Sequence, residues 1–358
     1  MNKRKLLLEF LPFIIGFIFI KYLDSSYNRV EWYHANIYTY YSRIVRKVTG
    51  IFPFSIGDLL YAAFIIFFII KIIWFIKVLF KKKLNRELIL EYSISLIKWV
   101  LGIVIIFNLT WGLNYQRAGI GTQLKLKKDL YTEEELINIT HLLIEKINQS
   151  RVKLPDSLSG FYTYQQSLSI GAKAYQQLST QFPFLAYPNK SIKKSLFGRF
   201  GNYAGFLGYI NPFTGEAQVN VTPPKFILPY VSCHEIAHQL GYASESEANF
   251  VGYLAARASQ DSFFHYSVYF DLFLYANKAI YRKDSVLAKN NFKQLDTLVK
   301  IDLKKYKQFN AKYKNPFEPF IRKFYDQYLK ANNQIKGVES YDEVIGLLIA
   351  FYKKYQFI

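Results

Sequence analysis

Sulfur is almost missing from this chain of 358 residues, which has one cysteine and one methionine. A lone thiol excludes an intramolecular disulfide framework, and Cys233 reads as a small buried residue rather than a redox or catalytic one. Acids are also scarce, 26 Asp and Glu against 46 Lys and Arg, for a formal net charge of +20. Such an excess raises the question of nucleic acid. The basic residues are scattered among acids and aromatics, however, and no nucleic-acid-binding pattern is recognisable, so no nucleic-acid partner is expected. Anionic lipid headgroups or envelope polymers suit the charge better. Internal repeats and low-complexity linkers are lacking. Lys21-Tyr22-Leu23-Asp24 offers no small-x-small cleavage site after the first apolar run, which therefore reads as an uncleaved anchor.

Histidine is rare too, with five in the chain, and two of them fall in His234-Glu235-Ile236-Ala237-His238. On a helix the two imidazoles share one face. Such a pair can hold one zinc ion, with Glu235 as the general base beside it. A catalytic zinc takes a third protein ligand and leaves one position open. Gly241 is placed to end the helix, because glycine accepts the left-handed conformation. Ser244 then reads as the cap of a second helix running Glu245–Arg257, with Ser244 and Glu247 as a capping box. Capping would occupy Glu247 and leave Glu245 free, so Glu245 is the preferred third ligand and Glu247 the alternate. Asn249, four residues on, lies on the face of Glu245 and can orient a histidine ligand from behind.

The pentad followed by Glu245-x-x-Ala248-Asn249 resembles the gluzincin class of zinc metallopeptidases. That resemblance implies Glu245 as ligand, Ala248 as a close-packed small residue and Asn249 behind the ligands. Asn249 departs from the Asp that many gluzincins carry, and the linker from His238 to Glu245 is shorter than usual. Gly241 also suits the metzincin pattern, but Ser244 stands where that class has its third histidine. The whole chain is similar to a bacterial membrane-protein family known as a domain of unknown function. Gly208–Ala217 and the pentad carry that likeness. The implied fold is mainly α with a small β-sheet: N-terminal transmembrane helices (residues 1–114), then a zincin-like α+β metallopeptidase domain (115–358). The implied activity is hydrolysis of peptide bonds in peptides or proteins, by water activated on zinc and deprotonated by Glu235. A membrane structural or binding protein with a non-catalytic metal site, and a zinc amidase acting on cell-wall peptides, are the alternatives.

Three apolar runs supply the membrane region: Leu6–Tyr22, Ile56–Phe80 and Ile97–Leu113. Lys3, Arg4, Lys5, Lys81, Lys82, Lys83, Arg86 and Lys98 would face one side. Arg29, Arg43, Arg46 and Lys47 would face the other. The bias puts the N-terminus in the cytoplasm and the domain after Asn114 outside, in a multi-pass protein of the cell membrane.

Thr132-x-x-Glu135 predicts a capped helix to about Ser150, and a second helix is expected over Tyr164–Gln181. Phe197–Gly208 should be loop and strand, and Glu216–Thr222 alternates like a half-buried strand. Within it Gln218, Val219, Asn220 and Val221 are expected to form an edge that pairs with extended substrate. Phe263–Tyr281 reads as a buried helix, with His265 a hydrogen-bonded core residue. Tyr209 and Tyr341 are weak candidates for an oxyanion donor.

Overall fold

A computed structural model describes residues 3–80, 85–127, 130–158, 162–332, 334 and 343–358. The protein is mostly helical. Three helices are long and apolar enough to cross a membrane, over Arg4–Asp24, Ile56–Val78 and Arg86–Thr110. In chain order the helices begin with α1 (Lys3–Asp24), α2 (Tyr27–Tyr33), α3 (Thr39–Thr49), α4 (Ile56–Phe80) and α5 (Arg86–Thr110). The third span thus starts eleven residues before the expected Ile97. Asn85 caps it by accepting from the Leu88 N–H at 2.8 Å, and its first turns carry Glu91, Ser93 and Ser95, which hide them from a hydropathy reading. Lys98 lies inside this helix, paired with Glu9 of α1, and not in the loop before it.

α1 and α5 run parallel, matched in step by Glu9 with Lys98, Phe13 with Gly102 and Gly16 with Ile105. The stretch between the first two spans, featureless in sequence, is helical: α2, a π-helical segment His34–Tyr38, and α3. It seats a small core of Ile20, Leu23, Tyr33, Tyr38, Trp111, Leu113 and Ala243. That core ties the ends of α1 and α5 to the turn just before Ser244.

After α5 come α6 (Gly119–Gln123), α7 (Glu133–Val152), α8 (Tyr164–Gln181), α9 (Gly198–Ala204), α10 (Leu228–Gln239), α11 (Glu245–Ala258) and α12 (Ser262–Tyr281). The last four are α13 (Ser285–Lys293), α14 (Thr297–Tyr313), α15 (Glu318–Ala331) and α16 (Glu343–Tyr355). α7 has the expected capping box of Thr132 with Glu135, and α8 has a second one, Thr163 with Gln166. α12 is the rod of the large core, packed on α7, α10 and α11, with Phe263, Phe264, Tyr266 and Leu272 buried. His265 sets Nε2 at 2.7 Å from the Ser259 carbonyl oxygen, a structural hydrogen bond.

The sheet has three short strands, β1 (Ile192–Lys194), β2 (Gly208–Ile210) and β3 (Ala217–Val219), in the order β1-β3-β2. β3 is parallel to β1 and antiparallel to β2, with Tyr209 opposite Gln218. The stretch expected to be loop and strand holds a short helix instead: α9, which stops at Gly205 with φ +81°. The turn after β2 bolts the sheet to α4. Glu216 accepts from the N–H groups of Ile56 and Gly57 at the start of α4, where a carboxylate favours the helix dipole. Asp58 accepts from the Leu196 N–H at 2.7 Å and from the Tyr209 hydroxyl.

The expectation of a substrate-binding edge at Gln218, Val219, Asn220 and Val221 does not hold. β3 is the middle strand, so both its backbone edges are taken. Gln218, Val219 and Asn220 are fully buried. Gln218 pairs with the Ser55 hydroxyl at 2.9 Å, and Asn220 with Asn202 at 2.6 Å. Val221 only packs at the border of the large core. Alternation reports the faces of a strand and is silent about its edges.

Candidate metal centre

α10 opens with Leu228-Pro229, proline suiting the first turn of a helix. It closes at Gly241, whose φ of +86° turns the chain so that the Tyr242 N–H reaches back to the Ala237 carbonyl at 3.2 Å. The chain reverses through Tyr242 and Ala243, and α11 packs back on α10. Gly252 makes the close approach possible: a Cβ there would lie 3.0 Å from the backbone nitrogen of His234. This hairpin of helices brings Glu245 to the histidine face.

His234, His238 and Glu245 form a cluster able to coordinate a divalent metal, with one donor atom of each all within 4.8 Å of one another. Glu245 Oε2 lies 3.3 Å from His234 Nε2 and 3.7 Å from His238 Nε2. Tetrahedral coordination with bonds of about 2.0–2.2 Å sets donors roughly 3.3–3.6 Å apart, close to the separations of Glu245 Oε2 from the two imidazoles. His238 Nδ1 donates to the Tyr242 carbonyl at 2.7 Å. That bond leaves the Nε2 lone pair facing Glu245, the arrangement a ligating histidine takes. The edge of Trp111 closes the far side of His238, ring centres 5.8 Å apart.

Glu245 is held from above. Tyr325 of α15 donates to its Oε1 at 2.6 Å and stacks on Tyr328, whose hydroxyl lies 3.4 Å from that of Tyr115. Nothing in the sequence singles out Tyr325, one tyrosine among 30. Burial opposes ionisation of Glu245, but the two imidazoles beside it hold its carboxyl well below the usual range. His234 is pushed the other way, up to about 9: burial lowers it, and the carboxylates of Glu245 and Glu235 outweigh burial. The same negative field would meet a bound cation.

The capping box expected at Ser244 is not formed. Ser244 has the extended backbone of a cap, but its side chain makes no cap hydrogen bond and pairs with the Ser246 hydroxyl at 2.9 Å. Glu247 turns away from the histidines, its carboxylate against Gly119. Glu245 and not Glu247 joins the cluster. Asn249 lies behind His234. It adds to the upward pull on that imidazole, and its carbonyl oxygens, backbone and side-chain, accept from the Tyr230 hydroxyl at 3.0 and 3.2 Å.

Glu235 sits on the inner side of the cluster, Oε1 4.0 Å from His234 Nε2. Its carboxylate fills the space where Gly208 of β2 lacks a side chain, so that any Cβ at 208 would collide with it. Oε2 has no hydrogen-bond partner in its buried position. Burial raises this carboxyl to about 7, against the pull of the two histidines. Tyr209, the next residue of β2, points the opposite way to Asp58 and Ser195 and is no oxyanion donor. Tyr341 lies outside the described residues.

Fold and site together define a membrane-associated helical protein with a buried triad suited to a divalent metal. A model of the family described as "Protein of unknown function (DUF3810)" matches residues 33–349, and the chain belongs to that family. Neither a curated protein nor a solved structure matches it.

Proposed function

We propose that this protein is a membrane-anchored zinc peptidase of the gluzincin kind. Residues 1–114 form the anchor, and residues 115–358 form a zincin-like domain on the outer face of the cell membrane. The observation that carries this reading is the convergence of His234 Nε2, His238 Nε2 and Glu245 Oε2 beside Glu235, a buried carboxylate whose Oε2 has no partner. Two neutral imidazoles and one carboxylate are a usual donor set of catalytic zinc. When bound, zinc would polarise the scissile carbonyl and acidify water. His234, His238 and Glu245 would hold it, and Asn249 would steady His234.

Glu235, shifted toward neutrality, is matched to move protons at physiological pH. It takes a proton from the attacking water as the hydroxyl adds to the carbonyl carbon. The C–N bond then breaks, and Glu235 returns the proton to the leaving nitrogen. β2 is an outer strand of the sheet among the described residues and touches Glu235 through Gly208. Its free edge, in place of β3, is where extended substrate would pair.

The test is metal analysis of the purified full-length protein together with peptide hydrolysis. Stoichiometric zinc and chelator-sensitive cleavage of a mixed peptide library are expected. Stoichiometric metal with no cleavage of any amide substrate would reduce the centre to a structural one.

A further inference from the structure

α4 meets α5 along one edge, through Phe67 with Trp99 and Trp74 with Tyr92, and leaves a groove beside that seam. None of the apolar window of α4 is buried, and a cleft of about 1000 Å³ lies between α4 and the α1–α5 pair. Phe13, Phe64, Phe68, Trp99 and Ile103 make the walls of its upper half; the Glu9–Lys98 ion pair lies about midway, and Lys5, Glu91 and Ser95 line the part below it. From Glu91 to Ile106, both in its lining, α5 rises about 22 Å, most of the roughly 30 Å of a hydrocarbon core.

The upper end lies beneath the metal centre, lined by Tyr61, Ile106 and Phe213. Tyr61 is within electrostatic reach of Tyr328, which stacks on the Tyr325 bonded to Glu245. Five residues beyond Ile106 is Trp111, against His238. Phe213 belongs to the turn after β2, the strand that touches Glu235.

The size of the cleft selects its occupant. A membrane-crossing helix about 10 Å wide and about 30 Å long fills roughly 2400 Å³, more than the cleft holds. Extended hydrocarbon chains fit. Gly102 keeps the wall open: a Cβ there would meet only Phe13, at 3.7 Å.

We infer that this cleft is a binding subsite for the hydrocarbon tail of an acylated peptide substrate, which lies between α4 and α5 while the scissile amide reaches the metal centre. This deepens the peptidase reading and rests on it. The tail enters from the bilayer with no loss of hydrocarbon contact, and the water-exposed peptide is thereby held at the height of the site.

The experiment uses the full-length zinc-loaded protein in phosphatidylcholine nanodiscs. Peptides from the library screen are compared with the same peptides carrying N-terminal acyl chains of increasing length. Cleavage efficiency should rise with chain length, by roughly tenfold or more at palmitoyl, because each added methylene is buried. Gly102→Trp should bring the acyl-to-plain ratio close to one, and Gly102→Leu should lower it partway. Equal cleavage at all chain lengths, or a ratio untouched by either substitution, overturns the subsite.

Binding is read separately in the Glu235→Gln variant, by photocrosslinking with a diazirine-bearing palmitoyl peptide and mass spectrometry. Crosslinks should map to Phe64, Ile103 and Phe213 and be lost in Gly102→Trp. Equal labelling there by a diazirine phospholipid lacking the peptide would mean bulk lipid only and would refute the assignment. Crosslinks in the cleft without turnover by the wild type would instead remove the peptidase reading and leave the subsite.

Discussion

In the proposed mechanism Glu235 carries the proton transfer, and its surroundings explain why substitution there should separate chemistry from metal binding. It is not among the three clustered donors, and it is confined by Gly208. Glu235→Gln should retain stoichiometric zinc and lose about 10²–10⁴-fold in turnover, the usual contribution of a general base. His238→Ala should lose the metal itself. A fully active Glu235→Gln would give the proton transfer to another group. A second residue, His34, carries a stability signal instead. It is pushed down to about 3, chiefly by burial and also by the charge of Arg117, with the Asn114 hydrogen bond opposing. Between the ordinary value of 6.5 and about 3 the folded protein binds fewer protons than the unfolded chain. Stability from this site is therefore present above 6.5 and lost as pH falls toward 3. Thermal unfolding of wild type and His34→Asn at pH 7 and pH 4.5 should show a smaller acid-induced drop in the variant, and an equal drop would remove His34 as a source of acid sensitivity.

At the level of elements, α7 and α14 are joined by an ion pair that no spacing rule predicts. Arg151 Nε meets Asp302 Oδ2 at 2.8 Å with both side chains shut off from solvent. Tyr266 donates to the same oxygen at 3.0 Å, and the Arg151 guanidinium also serves the carbonyls of Pro155 and Asp156. Asp302→Ala should cost about 3–5 kcal/mol by stranding the guanidinium, while an apolar pair at both positions should restore most of that. Melting of the two variants in detergent checks both halves. The helices that were legible have local signals: the capping box at Thr132, the proline and glycine that bracket α10, and the apolar run of α12. Those that were not, α2, α3 and α9, owe their form to partners distant in sequence. Arg46 of α3 is buried over the Tyr187 ring, and Ser42 donates to the Gln239 carbonyl at 3.1 Å. The site divides the same way. The pentad and Glu245 are adjacent in sequence and could be read there. Trp111, Gly208 and Tyr325 reach the cluster only through tertiary packing, and the middle position of β3 depends on where β1 and β2 fall.

At the scale of the whole molecule, the structure sharpens the charge asymmetry that orients the chain. Lys98 leaves the count because it lies within α5 and pairs with Glu9. Arg46 leaves the other side because it is buried in protein. Seven basic residues then stand in the first turn of α1 (Lys3, Arg4, Lys5), between α4 and α5 (Lys81, Lys82, Lys83) and at the first residue of α5 (Arg86), against three between α1 and α4 that remain open to solvent (Arg29, Arg43, Lys47). The stronger bias supports the proposed orientation, with the N-terminus in the cytoplasm. With α1 and α5 parallel, α2, α3 and the metal centre then lie on the outer side. The chemistry of the lone thiol makes this testable without a cysteine-free background. Cys233 is fully buried, and burial pushes its thiol up and away from the reactive thiolate. Single cysteines at the exposed positions Lys47 and Lys289, on the proposed outer side, should react with a membrane-impermeant maleimide on intact cells. A cysteine at exposed Asn85, between α4 and α5, should react only after permeabilisation. The reverse pattern would turn the protein over and put the metal centre in the cytoplasm, where cell-wall peptides are not exposed and the proposed hydrolysis could reach only cytoplasmic or membrane-borne substrates.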